Sequence, residues 1–332
     1  MTLALLDAPR PDAPLALPAR EAALARDITY AHAVPGRLRP ALVRLAENVT
    51  GRPALIRRVA GYESDLEQGR DFWRVMTDRF GLRLDLISGA LGNIPASGPL
   101  VVVANHPFGI LDGLVLGHIL SAARGREFRI LANHVFCKAP ALEDIILPID
   151  FSGTPLAMET NIASRAGALS LLARGGAVGV FPGGTVSTAA QPFGRPLDPA
   201  WRSFTARMIQ RSGAQVVPIW FEGGNSRLFQ LASHVSPTLR LALLIREFRR
   251  RVDKPVRLAI GQPLAPERLA GFGANGKEMM DFLRAATYEL SPKPLNPYQL
   301  GHEFEAHHRR ERAQGTGRGT WRLGSSIRGL AG

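Results

Sequence analysis

Four apolar residues, Leu100 to Val103, run straight into Ala104-Asn105-His106-Pro107-Phe108-Gly109, and this junction constrains the chain more than any other stretch. A short run rich in β-branched side chains reads as a strand buried on both faces. Pro107 removes a backbone donor and Gly109 permits unusual dihedrals, so the chain turns there. Asp112 then opens a second apolar segment, Leu114 to Leu120, with the character of a buried helix. His106 therefore stands at a strand end and Asp112 at a helix start, joined by a tight connection. An imidazole with an ordinary pKa of about 6.5 is neutral near pH 7 and still accepts a proton. A carboxylate on its other ring nitrogen fixes the tautomer and stabilises the imidazolium that forms. The pair reads as a general base with its orienting partner. The competing reading of the same residues is a turn followed by an Asp helix cap. No serine or cysteine nucleophile is evident beside them, so such a base acts directly on a substrate hydroxyl.

Around this junction, strand and helix signals alternate. Strands are expected at 100–105, 128–133, 177–181, 215–221 and 256–260, with helices at 112–123, 158–174, 198–212 and 276–289. Alternation at that interval predicts an α/β fold with a largely parallel central sheet flanked by helices. Residues 1–84 read as a partly helical N-terminal extension, with one helix near 39–49. A second, amphipathic helix places Phe72, Val75, Met76 and Phe80 on one face, for packing on the core or for resting on a membrane. Residues 85–265 form the main domain, and 266–332 a C-terminal helix and a flexible, basic tail rich in Gly and Arg.

Composition narrows the classes. With 45% hydrophobic and 21% charged residues, the 332-residue chain is globular. Its 41 basic and 28 acidic residues leave +13, which favours anionic partners. The lone Cys137 excludes an internal disulfide and suits a reducing compartment. Residues 1–20 lack the basic start and apolar centre of a secretory signal. The most apolar region, 100–123, is interrupted by Asn105, His106, Pro107, Asp112 and His118 and is not a membrane span. His302, Glu303 and His307 miss the spacing of a helical zinc site, and no metal is implied. The chain holds no Cys-x-x-Cys, Gly-x-Ser-x-Gly or complete Gly-x-Gly-x-x-Gly motif. The basic runs Arg246–Arg251 and His307–Arg312 read as solvated faces, and Trp321 with Arg322 and Arg328 suits contact with anionic lipid.

The string Asn105-His106-Pro107-x-Gly109-x-x-Asp112-Gly113 resembles the first motif of the glycerolipid (lysophosphatidate-type) acyltransferases, in the bacterial hemolysin-like or lyso-ornithine-lipid branch. Five residues separate His and Asp here, where the usual form has four. Downstream, Phe181-Pro182-Gly183-Gly184-Thr185-Val186-Ser187 is similar to that family's Phe-Pro-Glu-Gly-Thr-Arg-Ser block, with Gly183 for Glu and Val186 for Arg. Leu147–Phe151 stands where the family has a second motif ending in Arg, and Val217-Pro218-Ile219 resembles its fourth. The resemblance covers roughly residues 85 to 265. It implies transfer of a fatty acyl group from an acyl carrier protein or coenzyme A thioester to a hydroxyl of a lysolipid. His106 and Asp112 would be catalytic, and Phe181, Pro182, Gly183, Gly184 and Thr185 would bind substrate. No cofactor beyond the acyl thioester is implied. The expected location is cytoplasmic, peripheral on the inner face of the cell membrane, bound to its anionic surface. The alternatives are a lipid hydrolase, which lacks a visible nucleophile, and a basic nucleic-acid-binding module, which leaves the paired motifs unexplained.

Overall fold

A computed structural model describes residues 28–31, 34, 36, 38–133, 145–150 and 154–304. Four helices come first: α1 (Leu38–Thr50), α2 (Arg52–Val59), α3 (Tyr62–Glu67) and α4 (Phe72–Arg79). Next are β1 (Arg83–Ser88), β2 (Leu100–Ala104), α5 (Ile110–Arg124), β3 (Phe128–Asn133) and β4 (Ile146–Ile149). Then follow α6 (Pro155–Ala173), β5 (Ala177–Val180), the short pair β6 (Thr188–Ala189) and β7 (Pro196–Leu197), and α7 (Ser203–Ser212). The remainder is β8 (Gln215–Phe221), α8 (Arg227–Val235), α9 (Pro237–Arg249), β9 (Pro255–Ile260), α10 (Pro266–Ala270) and α11 (Gly276–Tyr288).

Seven strands form one sheet in the order β1-β9-β8-β2-β5-β3-β4. All neighbours are parallel except β8 and β9, so the sheet is largely parallel, as the alternation predicts. β2 lies at its centre, and every one of its residues is buried. Leu100, Val102 and Ala104 face one core layer, Val101 and Val103 the other. A strand with period-two side chains and two dry faces must be apolar throughout, which accounts for the unbroken run. The N-terminal helices, α5 and α9 contribute to the first layer; α6, α7 and α11 fill the second.

The amphipathic helix belongs to the core. Trp73, Val75, Met76 and Phe80 are buried, and Asp71 caps the helix by accepting from the Arg74 amide at 2.9 Å. Trp73 lies flat on α5 at Gly117, where an added Cβ would fall 2.1 Å from the indole. Two expected boundaries shift. The helix predicted at 198–212 begins only at Ser203, after Arg202 in extended backbone. The helix predicted at 158–174 begins at Pro155, capped by Thr154. The basic run from Arg246 is not merely a solvated face. Glu247 is buried and binds Ser226, and Arg251 sits 4.7 Å over the Phe108 ring. Residues 305–332, with the tail's basic run and Trp321, lie outside the described residues, as do Cys137 and Phe151.

Trp73→Ala should destabilise the fold by about 3–5 kcal/mol, the range for emptying a buried aromatic site. Denaturant melts of the two proteins measure it, and a change below about 1 kcal/mol contradicts the role given to this contact.

Candidate active site

β2, β5 and β8 are adjacent and parallel, so their carboxyl ends open at one edge of the sheet, where open α/β sheets bind ligands. His106 leaves the end of β2, and the Phe181–Ser187 block leaves the end of β5. Asn105 locks the edge: its amide donates to the Phe221 carbonyl at 2.9 Å and accepts the Phe221 N–H at 2.7 Å. The side chain thereby continues the β2–β8 ladder by one step.

The chain turns through Pro107 and Phe108 to Gly109, whose φ of 94° suits glycine. α5 starts at Ile110, which puts Asp112 in its first turn. The Asp112 Oδ2 accepts the amides of Phe108 at 2.8 Å and Gly109 at 3.0 Å, and lies 3.0 Å from His106 Nδ1. The helix cap and the carboxylate that faces the imidazole are therefore one group. Burial pushes the Asp112 carboxyl above its ordinary value, opposed by His106 and the two amides. The imidazole is stacked on Phe181, centroids 4.2 Å apart and planes 25° apart, and keeps 18% of its side chain exposed. No described residue hydrogen-bonds Nε2, which leaves that atom for a substrate proton.

The remaining residues of the block are brought to the same place. The Pro182 carbonyl accepts the Arg202 amide, and Gly183 packs on Asp198, whose Cβ would lie 3.3 Å from a Cβ at 183. Gly184 adopts φ of 69° and donates its amide to the Phe181 carbonyl at 3.0 Å. The Thr185 hydroxyl accepts from Arg240 at 3.0 Å. Ser187 donates its amide to the His106 carbonyl at 2.7 Å and its hydroxyl to Asp198. That serine is committed to a buried carboxylate and is not a nucleophile.

Two of these partners lie outside the recognised motifs. Asp198 is fully buried and gathers the His106 amide at 3.2 Å, the Ser187 hydroxyl and the Trp201 indole N–H at 2.9 Å. Arg240 of α9 is buried too, and also donates to the Val186 carbonyl at 2.8 Å. Its guanidinium lies 5.2 Å and 4.4 Å from the centroids of Phe229 and Phe304, and burial brings it down to about 10, still charged at neutral pH. Nothing local marks Asp198. For Arg240 the signal was a lone charge within Leu239-Arg-Leu-Ala-Leu-Leu-Ile245. Glu303, weighed above for zinc, instead forms a two-pronged ion pair with Arg202, both contacts 3.0 Å. Among the described residues no group of three His, Cys, Asp or Glu could hold a metal ion.

A histidine faced by a buried carboxylate, beside a glycine-rich turn, is an arrangement compatible with general-base transfer between substrates. The comparisons with known proteins point to acyl transfer. Residues 89–222 match the family model described as Acyltransferase, a span that holds both motifs. The chain is 26% identical over 214 residues to the lyso-glycine lipid O-acyltransferase of Phocaeicola vulgatus, covering 61% of this chain and 71% of that protein. It is also 26% identical over 183 residues to the protein of the same name from Bacteroides thetaiotaomicron, covering 53% and 62%. The crystal structure of the 1-acyl-sn-glycerophosphate acyltransferase from Thermotoga maritima aligns with a TM-score of 0.42 at 20% identity, over 68% of this chain and 79% of that one. Residues 89–222 thus form an acyltransferase domain, and the chain is an enzyme of the acyltransferase class.

Asp198→Asn keeps the shape of the side chain but removes the charge that holds His106 and Ser187 together. Turnover should fall by about 10²-fold, the cost of a small misplacement of catalytic groups, while circular dichroism stays that of the parent. Parent-like turnover in the folded variant contradicts the assignment.

Proposed function

We propose that this enzyme is a lysolipid O-acyltransferase that takes its acyl group from a thioester of acyl carrier protein or coenzyme A. One observation carries the mechanism: the Asp112 oxygen faces His106 Nδ1 at 3.0 Å and leaves Nε2 for the acceptor. The acceptor hydroxyl gives its proton to Nε2 as its oxygen attacks the thioester carbonyl, and Asp112 stabilises the imidazolium. The tetrahedral centre then collapses, the carbon–sulfur bond breaks, and the departing sulfur takes the proton back from His106. The products are an ester and a free thiol, with no change of oxidation state. The Phe181–Thr185 turn would border the acceptor. The net charge of +13 suits an acidic carrier or anionic coenzyme A, and attachment to the anionic inner face of the cell membrane. No described helix is long and apolar enough to cross a membrane.

The acceptor reading rests on what the block lacks. Gly183 and Val186 offer no charged side chain to a head group, and the Arg240 guanidinium spends two hydrogen bonds on Thr185 and Val186. An Arg–phosphate contact is commonly bidentate, so its absence weakens phosphate binding. The names of the two relatives favour an amino-acid head group in the same direction.

His106→Ala and Asp112→Asn should each remain folded and lose about 10²–10⁴-fold in transfer; near-normal turnover of His106→Ala would sink the mechanism. In parallel assays with one acyl-carrier-protein donor, lyso-ornithine or lyso-glycine lipid should be acylated at least as well as lysophosphatidate. A strong preference for lysophosphatidate defeats the acceptor reading.

A further inference from the structure

Helix α1 turns its leucines outward. Leu38, Leu42, Leu45 and Val49 are 80%, 61%, 60% and 78% exposed, whereas Glu47 is fully buried. At about 100° per residue, the four apolar side chains fall within an arc of about 60°, with Glu47 on the far side. The orientation is held by hydrogen bonds: Glu47 accepts the Thr29 hydroxyl at 2.5 Å and the Tyr30 amide at 2.7 Å. Rolling the leucines inward would strip both donors of their acceptor and move a bonded carboxylate. Arg39, in the first turn, is exposed, while Arg44 is half-buried toward the Glu47 side. Leu239 of α9, the helix that packs along α1, is also exposed. A groove of about 450 Å³ runs alongside, lined in part by Val34, Arg39, Pro237, Leu239 and Leu241.

We propose that this face is where the protein lies on an anionic bilayer, with the α1 stripe in the acyl boundary, the exposed Arg39 at the level of the head groups and the net charge of +13 favouring an anionic surface. The proposal rests on the reading of the acceptor as a lysolipid and adds the surface that meets the membrane. An amphipathic helix with an apolar stripe lies in the interface plane with its apolar side about 5–10 Å deep. An acidic carrier protein would be met by charge; a row of leucines about 17 Å long matches hydrocarbon instead. Contiguous exposed apolar surface of this kind marks an interaction site. The same helix reaches the active site: Glu47 holds Tyr30, whose hydroxyl would lie 3.9 Å from a Cβ at Gly109, at the turn between His106 and Asp112.

The test is flotation of the full chain with phosphatidylcholine vesicles containing phosphatidylglycerol. Leu42→Asp with Leu45→Asp should lower the bound fraction at least about tenfold and lower transfer to acceptor embedded in vesicles, while transfer to detergent-dispersed acceptor stays unchanged. Leu38→Asp with Val49→Asp, at the two most exposed positions, should do the same should the first pair disturb folding. Parent-like flotation of both pairs overturns the proposal. So does loss of acyl-carrier-protein binding with flotation unchanged. Failure of the parent protein to acylate any dispersed lysolipid would strike at the functional reading instead, and would leave the flotation result to stand by itself.

Discussion

One oxygen atom, Oδ2 of Asp112, carries the geometry of this molecule's active end. It is out of contact with solvent and faces three nitrogen atoms: the amides of Phe108 and Gly109 and the His106 ring. A carboxylate that deep is tolerable only when donors replace the water it has lost. Because one atom both caps α5 and faces the imidazole, the start of that helix and the orientation of the base are inseparable. Whatever seats α5 therefore also seats the base. Trp73 pressed on Gly117, and the layer formed by Leu111, Val115 and Ile119, therefore bear on how Asp112 meets His106 although they lie away from both. Arg251, over the Phe108 ring, acts on Asp112 through space.

The glycine-rich block is held by charges brought from distant parts of the chain. Asp198 draws His106 and Ser187 together, and Arg240 anchors Thr185 and Val186 from the other side. Residues Gly301 to Glu303 bind both sides of the block, through Gly301 on the Asp198 carbonyl, His302 on Thr188 and Glu303 on Arg202. In a buried setting such contacts fix position strongly, because each group left unpaired would carry the full cost of desolvation. The turn is small and nearly without polar side chains of its own, so its shape is imposed from outside.

What the sequence discloses follows from the range of the interactions. The strand–turn–helix around His106 is legible because its signals are local: an unbroken apolar run, a proline, a glycine and an acid in the first helical turn. The alternation that predicts a largely parallel sheet is equally local. β1 and β4 escape notice because edge strands of six and four residues give too few positions to read a period; Arg83–Ser88 is mostly exposed. Asp198 lies 92 residues from the amide it binds, and Arg240 lies 54 residues from its carbonyl, so no spacing rule reaches them. α1 fails differently. The helix near 39–49 is expected, but not which way it faces, since that depends on Glu47 finding its partners in Thr29 and Tyr30.

The central claim is direct transfer from donor to acceptor by an oriented histidine, without an acyl-enzyme. The most direct measurement follows thiol release and intact protein mass when the purified enzyme meets an acyl thioester, first alone and then with a lysolipid. The account predicts neither thiol release nor added protein mass without acceptor, and equal amounts of thiol and ester once acceptor is present. Fatty acid released in the absence of acceptor, or a protein carrying the acyl chain, would contradict it.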